Sequence, residues 1–571
     1  MQEAVITGLD WAVIALYFAV IGVLAWWYGR RQRDNIDYFL AGRNAGFITI
    51  GASIFTSNIG SEHIVGLAGQ GASTGLAMAH WELHAWVLIL LAGVFVPFYY
   101  RAGVETIPEF LERRFSARAR TILSVVSLVA YVFTKVSVTV FAGAIVFQAL
   151  LPDTFGSRDN AFWVGAFTTV IITGVYTVFG GMRAIMATAV PQAVIILFGS
   201  FVITYLGLDT LSGGAGVAAG WGELVAAAQT NADAFAFWRP LSDPNFPWLG
   251  VLIASPIIGI WYWCTDQYIV QRTLSARDLA TARRGALFGG VLKVWPVMIF
   301  LIPGLIGWAL HQKGLIALPM KVVDGAQVID GDSVFPTLVT TLLPVGVRGL
   351  IVACLLAALM SSLASLFNSS AALFTVDIYE KLRPGRSKGH LLLVGRIATT
   401  VVVGLGLMWI PVMKVISGGG LYQYLQSVQG YLAPPITAVF LLGLFWSRVN
   451  ARGAVWGLAG GFVLGMLKLT CQAFFGAGKL EAPAVLAAVG DFNFLYATGI
   501  LFALSIVLII AGSLTSPPPA EEQIRGLTYA SIRAEARDEI SRSWDAGNKL
   551  MAALILALVG GMYLYFSFWL D

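Results

Sequence analysis

The chain has 571 residues and a formal net charge of +5, with 58 % hydrophobic and only 12 % charged residues; its mean hydropathy is +0.78. Soluble domains carry roughly 25 % charge, so too little polar surface exists here to clothe a water-exposed globule, and the apolar content excludes disorder. Eighteen Trp, 18 Tyr and 35 Phe suit a lipid-solvated protein with aromatics at its interfaces. Cys264, Cys354 and Cys471 stand in apolar stretches without disulfide or zinc spacing.

Fourteen apolar runs read as spanning helices, at roughly 9–28, 46–67, 76–100, 121–149, 161–180, 184–207, 249–269, 285–311, 342–376, 391–413, 421–445, 453–475, 490–512 and 550–569. The first is too long, and followed by too many others, for a cleaved signal peptide. With the N-terminus outside, the inner loops hold 25 Lys and Arg and the outer loops five. That asymmetry obeys the positive-inside rule, predicts both termini outside, and removes any need to read the net charge as nucleic-acid binding. The segment 513–548 is the one long charged stretch; Pro517, Pro518 and Pro519 end the thirteenth helix, and the rest reads as a solvated connector with an amphipathic piece.

Six basic residues remain within or beside the spans: Lys135, Lys293, Arg348, Arg396, Lys414 and Lys468. Most are read as snorkelling from span ends. Lys293 sits between GALFGGVL and VWPVMIF, where a charge needs a partner, and Glu82 of the third span is the matching carboxylate. The second span carries Ser57, Asn58, Gly60, Ser61, Glu62 and His63 near mid-membrane. Such an interruption exposes carbonyls that coordinate a cation; the bland alternative is small-residue packing. In the ninth span Ala358, Ser361 and Ser362 share one helix face and supply neutral oxygens suited to a monovalent cation, although membrane hydroxyls commonly bond the preceding turn. Trp261, Tyr262 and Trp263 offer ring faces, and Gln426 an amide; with His63, Glu82 and Lys293 they make a toolkit for a polyhydroxylated ligand. His63, His80, His84 and Glu82 without a nucleophile or cofactor motif argue against an enzyme.

The strings DYFLAGR, SNIGSEHIVGLAGQG, VPFYYRAGVETIPEFLERRF, VYTVFGGMRA, WYWCTDQYIVQRTLSA, LMSSLASLFNSSAALFTVDIY and YLAPPITAVFLLGLFWSRVN resemble the solute:sodium symporters, in particular the sodium/glucose cotransporter branch, over essentially the whole chain. The resemblance implies an all-α polytopic protein of about 14 helices with a LeuT-like core of two inverted five-helix repeats. These occupy 46–207 and 249–445, after a first helix and loop at 1–45 and around an outer loop at 208–248. Accessory helices at 446–512, a cytoplasmic linker at 513–549 and a last helix at 550–571 complete the division. It implies a Na+ site from the carbonyls of Thr56, Ile59 and Ala358 with the hydroxyls of Ser361 and Ser362. It implies a sugar site from Asn58, His63, Glu82, Lys293 and Gln426, with Tyr262 as inner-gate ring and Trp263 beside it; Leu67, Trp81 and Tyr422, together with Trp261, are the gate residues. Na+ is the co-transported ion, and no organic cofactor or nucleic acid is implied. Thr188-Ala189 and Ala364 depart from members with a second Na+ site, so one Na+ per sugar is expected. Gly259 stands where relatives place a polar residue on the sugar. The resulting expectation is a sodium-coupled importer of a neutral monosaccharide in a bacterial inner or plasma membrane; myo-inositol or another polyol, or an uncoupled facilitator or sensor, are the alternatives.

Overall fold

The computed structural model describes residues 6–567 apart from 31, 33, 152–154, 232–233, 324–325, 417–420 and 476–482. All fourteen predicted runs are helical, and among the described residues eleven helices are long and apolar enough to cross a membrane. The two counts differ because runs merge or break. The fifth and sixth form one helix, Arg158–Leu211, bent at Gly181 (φ 51°). The latter half of the second continues with the third as Ser61–Ala102, and the π-helical turn Tyr131–Val136 divides the fourth. Gly181 has no substitute at that bend, because its φ is left-handed and a Cβ would lie 2.6 Å from the Tyr38 ring. One small hairpin, Met320–Val323 paired antiparallel with Ala326–Ile329, adds β structure that the all-helical expectation lacked.

The first helix of each predicted repeat is broken. Phe47–Asn58 and Ser61–Thr74 are separated by extended backbone at Ile59 and Gly60. Trp248–Ile260 passes through the π-helical turn Trp261–Thr265 to Asp266, which is extended and caps Gln267–Leu274 with its side chain. The ninth span, Val347–Leu382, runs between them and is buried on nearly every side. Its serines therefore face neighbouring spans rather than solvent, with Ser362 and Ser365 on the second and Ser369 on the seventh.

Close packing relies on small residues. A Cβ on Gly71 would lie 2.2 Å from the Leu301 carbonyl, and one on Gly304 2.0 Å from that of Ala68. The second and eighth spans therefore meet backbone to backbone. Asp10 ties the first span to the start of the ninth by accepting the Gly346 and Gly349 amides, both at 2.7 Å. Arg114 donates to the Gly443, Val449 and Trp446 carbonyls at 2.9, 3.0 and 3.3 Å and caps the eleventh span, Leu421–Phe445.

The 513–549 segment, exposed over much of its length, also makes specific contacts that strap it across the arginine-rich face. Asn450 donates to Ser516 Oγ and the Pro517 carbonyl at 2.8 and 2.7 Å, and Gln523 donates to the Phe115 carbonyl at 2.7 Å. Helix Tyr529–Arg542 then reaches the third and eighth spans. Arg101 pairs with Glu539 at 2.8 Å, and Arg283 donates at 2.7 Å to both the Ile540 carbonyl and Ser543 Oγ while lying over the Trp544 ring. Arg284 pairs with Asp545. Charged side chains in the loops thus have specific partners, which a hydropathy reading does not reveal.

Two predictions follow from these contacts. Replacing Arg283 and Trp544 together with Ala removes two charged-donor hydrogen bonds and a ring contact, so tryptic cleavage within 529–549 should accelerate about tenfold or more; an unchanged cleavage time course refutes the strap. Burial, with Glu109 and Glu380 alongside, pushes the Glu105 carboxyl from 4.5 up to about 7. Between those values the folded chain binds more protons than the unfolded one, so stability falls as pH rises. Thermal midpoints in detergent should show that slope, and Glu105→Gln should flatten it.

Candidate functional site

The break in the second span frees backbone groups that no water in the hydrocarbon can satisfy. Gly60 leaves room at the break for the Glu62 carboxylate, which a Cβ there would displace. The Ser57 carbonyl accepts the Ser362 hydroxyl at 3.1 Å and the Tyr268 hydroxyl. Ser57 Oγ meets Ser365 Oγ at 2.8 Å, and Ser61 donates to the Thr139 carbonyl at 2.9 Å. The broken helix is thereby pinned to the fourth, seventh and ninth spans. Thr56, Ile59, Ala358, Ser361 and Ser362, the proposed ion ligands, are all buried at this crossing. The Thr56 and Ser361 hydroxyls have no hydrogen-bond partner among the described residues.

Beside the crossing lies a cleft of about 570 Å³, a figure that includes the space open to solvent. All seven predicted sugar residues line it: Asn58, His63, Glu82, Tyr262, Trp263, Lys293 and Gln426. Lys293 Nζ pairs with Glu82 and stands 5.6 Å from the Trp263 ring centre. Asn58 Nδ2 donates to the Tyr262 hydroxyl at 3.1 Å, which holds that ring across the cleft. Asn58 Oδ1, Glu62 Oε2, Trp81 Nε1 and Gln426 Oε1 are buried without a hydrogen-bond partner among the described residues. Several uncommitted donors and acceptors facing one cavity are what a polar ligand requires, since a buried polar atom left unpaired costs about 1–3 kcal/mol.

The predicted gate residues separate. Trp81 lines the cleft and packs edge-on against Phe246 at 6.1 Å. Leu67 is buried but is not among the lining residues. Trp261 is also absent from the lining and instead faces Lys135, 5.1 Å from its ring centre. The Tyr422 side chain lies outside the described residues.

Lys135 corrects the snorkelling assignment. It is buried, pairs with Asp266 Oδ2 at 2.5 Å, and lies 4.7–5.1 Å from the rings of Tyr131, Trp261, Tyr262 and Tyr268. Tyr131 donates to the other Asp266 oxygen, so one carboxylate caps the broken seventh helix and fastens it to the fourth. Lys468 is likewise buried, donating to the Gly490 carbonyl at 3.1 Å. Glu62, His84, Thr139 and Gln429 also line the cleft and were not assigned from sequence. The signal for the Lys135 pair was Asp266 itself, a carboxylate following the aromatic, apolar run at the end of the seventh span.

Comparison with known proteins agrees with this architecture. The sequence family described as the Sodium:solute symporter family matches residues 38–461. Among curated proteins the chain is 39 % identical to sodium/glucose cotransporter 4 of Danio rerio over 95 % of this chain and 84 % of that one. It is 40 % identical to sodium/glucose cotransporter 2 of Rattus norvegicus, covering 91 % and 80 %, and 35 % identical to the sodium/myo-inositol cotransporter of Canis lupus familiaris, covering 97 % and 80 %. Among solved structures, a substrate-bound, outward-open Na+-coupled sialic acid symporter superposes with a TM-score of 0.74 at 21 % identity, covering 90 % of this chain and 98 % of that one. The fold is therefore the LeuT-like helical bundle of an integral membrane transporter. This chain belongs to the sodium:solute symporter family and is a sodium-coupled symporter.

Proposed function

We propose that the chain imports a neutral hexose of the glucose or galactose type together with one Na+, by alternating access, across a bacterial inner or plasma membrane with both termini outside. The observation that carries the substrate reading is the cleft: two aromatic faces, a Lys293–Glu82 pair and four unpartnered buried polar atoms. Ring faces cover the C–H surface of a sugar while the polar groups bond its hydroxyls. Glu82 and Glu62 disfavour an anionic substrate. Similarity to the glucose cotransporters supports the reading, and similarity to the myo-inositol cotransporters supports a second one, since a cyclitol presents the same alternation of hydroxyls and C–H faces.

The ion would be held by the carbonyls of Thr56, Ile59 and Ala358 with Ser361 and Ser362. The free hydroxyl of Ser361 favours that assignment, as does the crossing of the second and ninth spans at Ser57 and Ser362. A single Na+ is favoured because Ala189 stands where many relatives carry an Asp, the neighbouring Thr188 spends its hydroxyl on the Ala184 and Ile185 carbonyls of its own helix, and Ala364 offers none. Na+ bound at the break would replace the Ser362–Ser57 bond and order the cleft wall, so that the sugar-competent state is favoured by differential affinity. Asn58, His63, Glu82, Lys293 and Gln426 would bond hydroxyls and Trp263 would flank the ring. Tyr262 would close the cleft below, with Leu67, Trp81, Tyr422 and Trp261 serving the gates. One charge moving through 100 mV contributes about 2.3 kcal/mol, enough for accumulation of tens-fold, since about 1.4 kcal/mol is a factor of ten.

Radiolabelled glucose, galactose and myo-inositol uptake into proteoliposomes, with and without an inward Na+ gradient at clamped potential, tests the reading. Na+-driven accumulation of a hexose above equilibrium is expected, abolished by Ser362→Ala; equilibration regardless of Na+ points to a facilitator, and accumulation of myo-inositol alone selects the second substrate. Gln426→Ala should raise the sugar half-saturation constant about tenfold, the loss of one neutral hydrogen bond, and Lys293→Ala more, because it removes a buried charge and its ion pair with Glu82. Unchanged constants in both variants refute these assignments.

A further inference from the structure

We propose that His84, outside the residues assigned above, is a specificity-determining group that reads one hydroxyl of the transported ligand; this rests on the sugar reading of the cleft. His84 is buried and lines the cavity. Its Nε2 lies 2.7 Å from Ser255 Oγ on the seventh span. One helical turn further along that span, Gly259 leaves a notch for the same corner of the ring. A Cβ at Gly259 would stand 3.2, 3.2 and 3.3 Å from Cε1, Nε2 and Cδ2. The imidazole is thus docked at its Nε2 end between a hydroxyl and a bare backbone.

That arrangement has a chemical consequence. A neutral imidazole carries a donor on one nitrogen and an acceptor on the other, and Ser255 can take either role toward Nε2. Nδ1 is then left with the complementary role, and a sugar hydroxyl, which is both donor and acceptor, satisfies either tautomer. Because Ser255 and Gly259 fix the ring, the nitrogen is positioned before the ligand arrives. A polar group of this kind discriminates by being left unpaired when the matching hydroxyl is missing. Glu82, two residues earlier, is occupied with Lys293, so His84 adds a contact separate from that pair.

The test measures half-saturation constants for the parent hexose and its series of monodeoxy analogues, in the full-length protein in proteoliposomes. In the wild type at least one deoxy position should cost about tenfold or more. In His84→Phe that one ratio should fall to about one, as the parent sugar loses what the analogue already lacked, while His84→Asn should restore part of it. Gly259→Ala, which keeps the imidazole but pushes its docked corner, should lower the same ratio and serves if the Phe variant fails to fold. Deoxy ratios identical to wild type in His84→Phe, or in Gly259→Ala where the former does not fold, overturn the proposal. Wild-type protein that concentrates myo-inositol and no hexose overturns the hexose reading alone, and the deoxyinositols then take the same test to His84.

Discussion

Hydrocarbon has no water to offer a freed carbonyl, and the two helix breaks in this chain oblige the rest of the bundle to supply partners. At Ile59 and Gly60 the partners are hydroxyls: Ser362 and Tyr268 on the Ser57 carbonyl, and Ser365 on its side chain. At Asp266 they are charges and a phenol: Lys135 and Tyr131. The spans that donate these groups must lie against the breaks, which fixes the fourth, seventh and ninth helices around the second. The cleft is the space left between those obligations.

The two breaks are solved with different chemistry, and the difference suits different tasks. Hydroxyl–carbonyl contacts are individually weak, so a monovalent cation coordinated by the same oxygens can replace them. A buried Lys–Asp pair is not exchangeable in that way, since removing either member strands a charge. The second-span break is therefore the more replaceable of the two, and the seventh-span break is the better anchored.

Much of this was legible in the sequence, for reasons particular to the residues. Long apolar runs announce themselves by length, and a Lys in the middle of one, such as Lys293, demands a carboxylate such as Glu82. The interruption at Ser57–His63 was visible because small and polar residues crowd one short stretch. The break at Asp266 was less visible, since the aromatic Trp261–Trp263 run around it keeps its hydropathy high. Lys135 resembled a snorkelling residue because sequence does not tell depth from proximity to a span end. His84 was weighed only as a poor catalyst, because the notch that docks it belongs to Gly259, 175 positions away. The strap's contacts were not legible because its partners are backbone carbonyls and arginines at the ends of helices distant in sequence.

The contact between Gly71 and Gly304 carries a mechanical meaning. Where main chain rests on main chain there are no side-chain rotamers to rearrange, so the upper half of the second span and the eighth span form one stiff plate. Sliding or tilting between them would drive a carbonyl into a Cα. Any relative motion in this molecule is thereby displaced to the seams built from longer side chains, above all the line where Ser57 faces Ser362 and Ser365. The glycines thus select where the molecule bends by making one of its largest interfaces unable to do so.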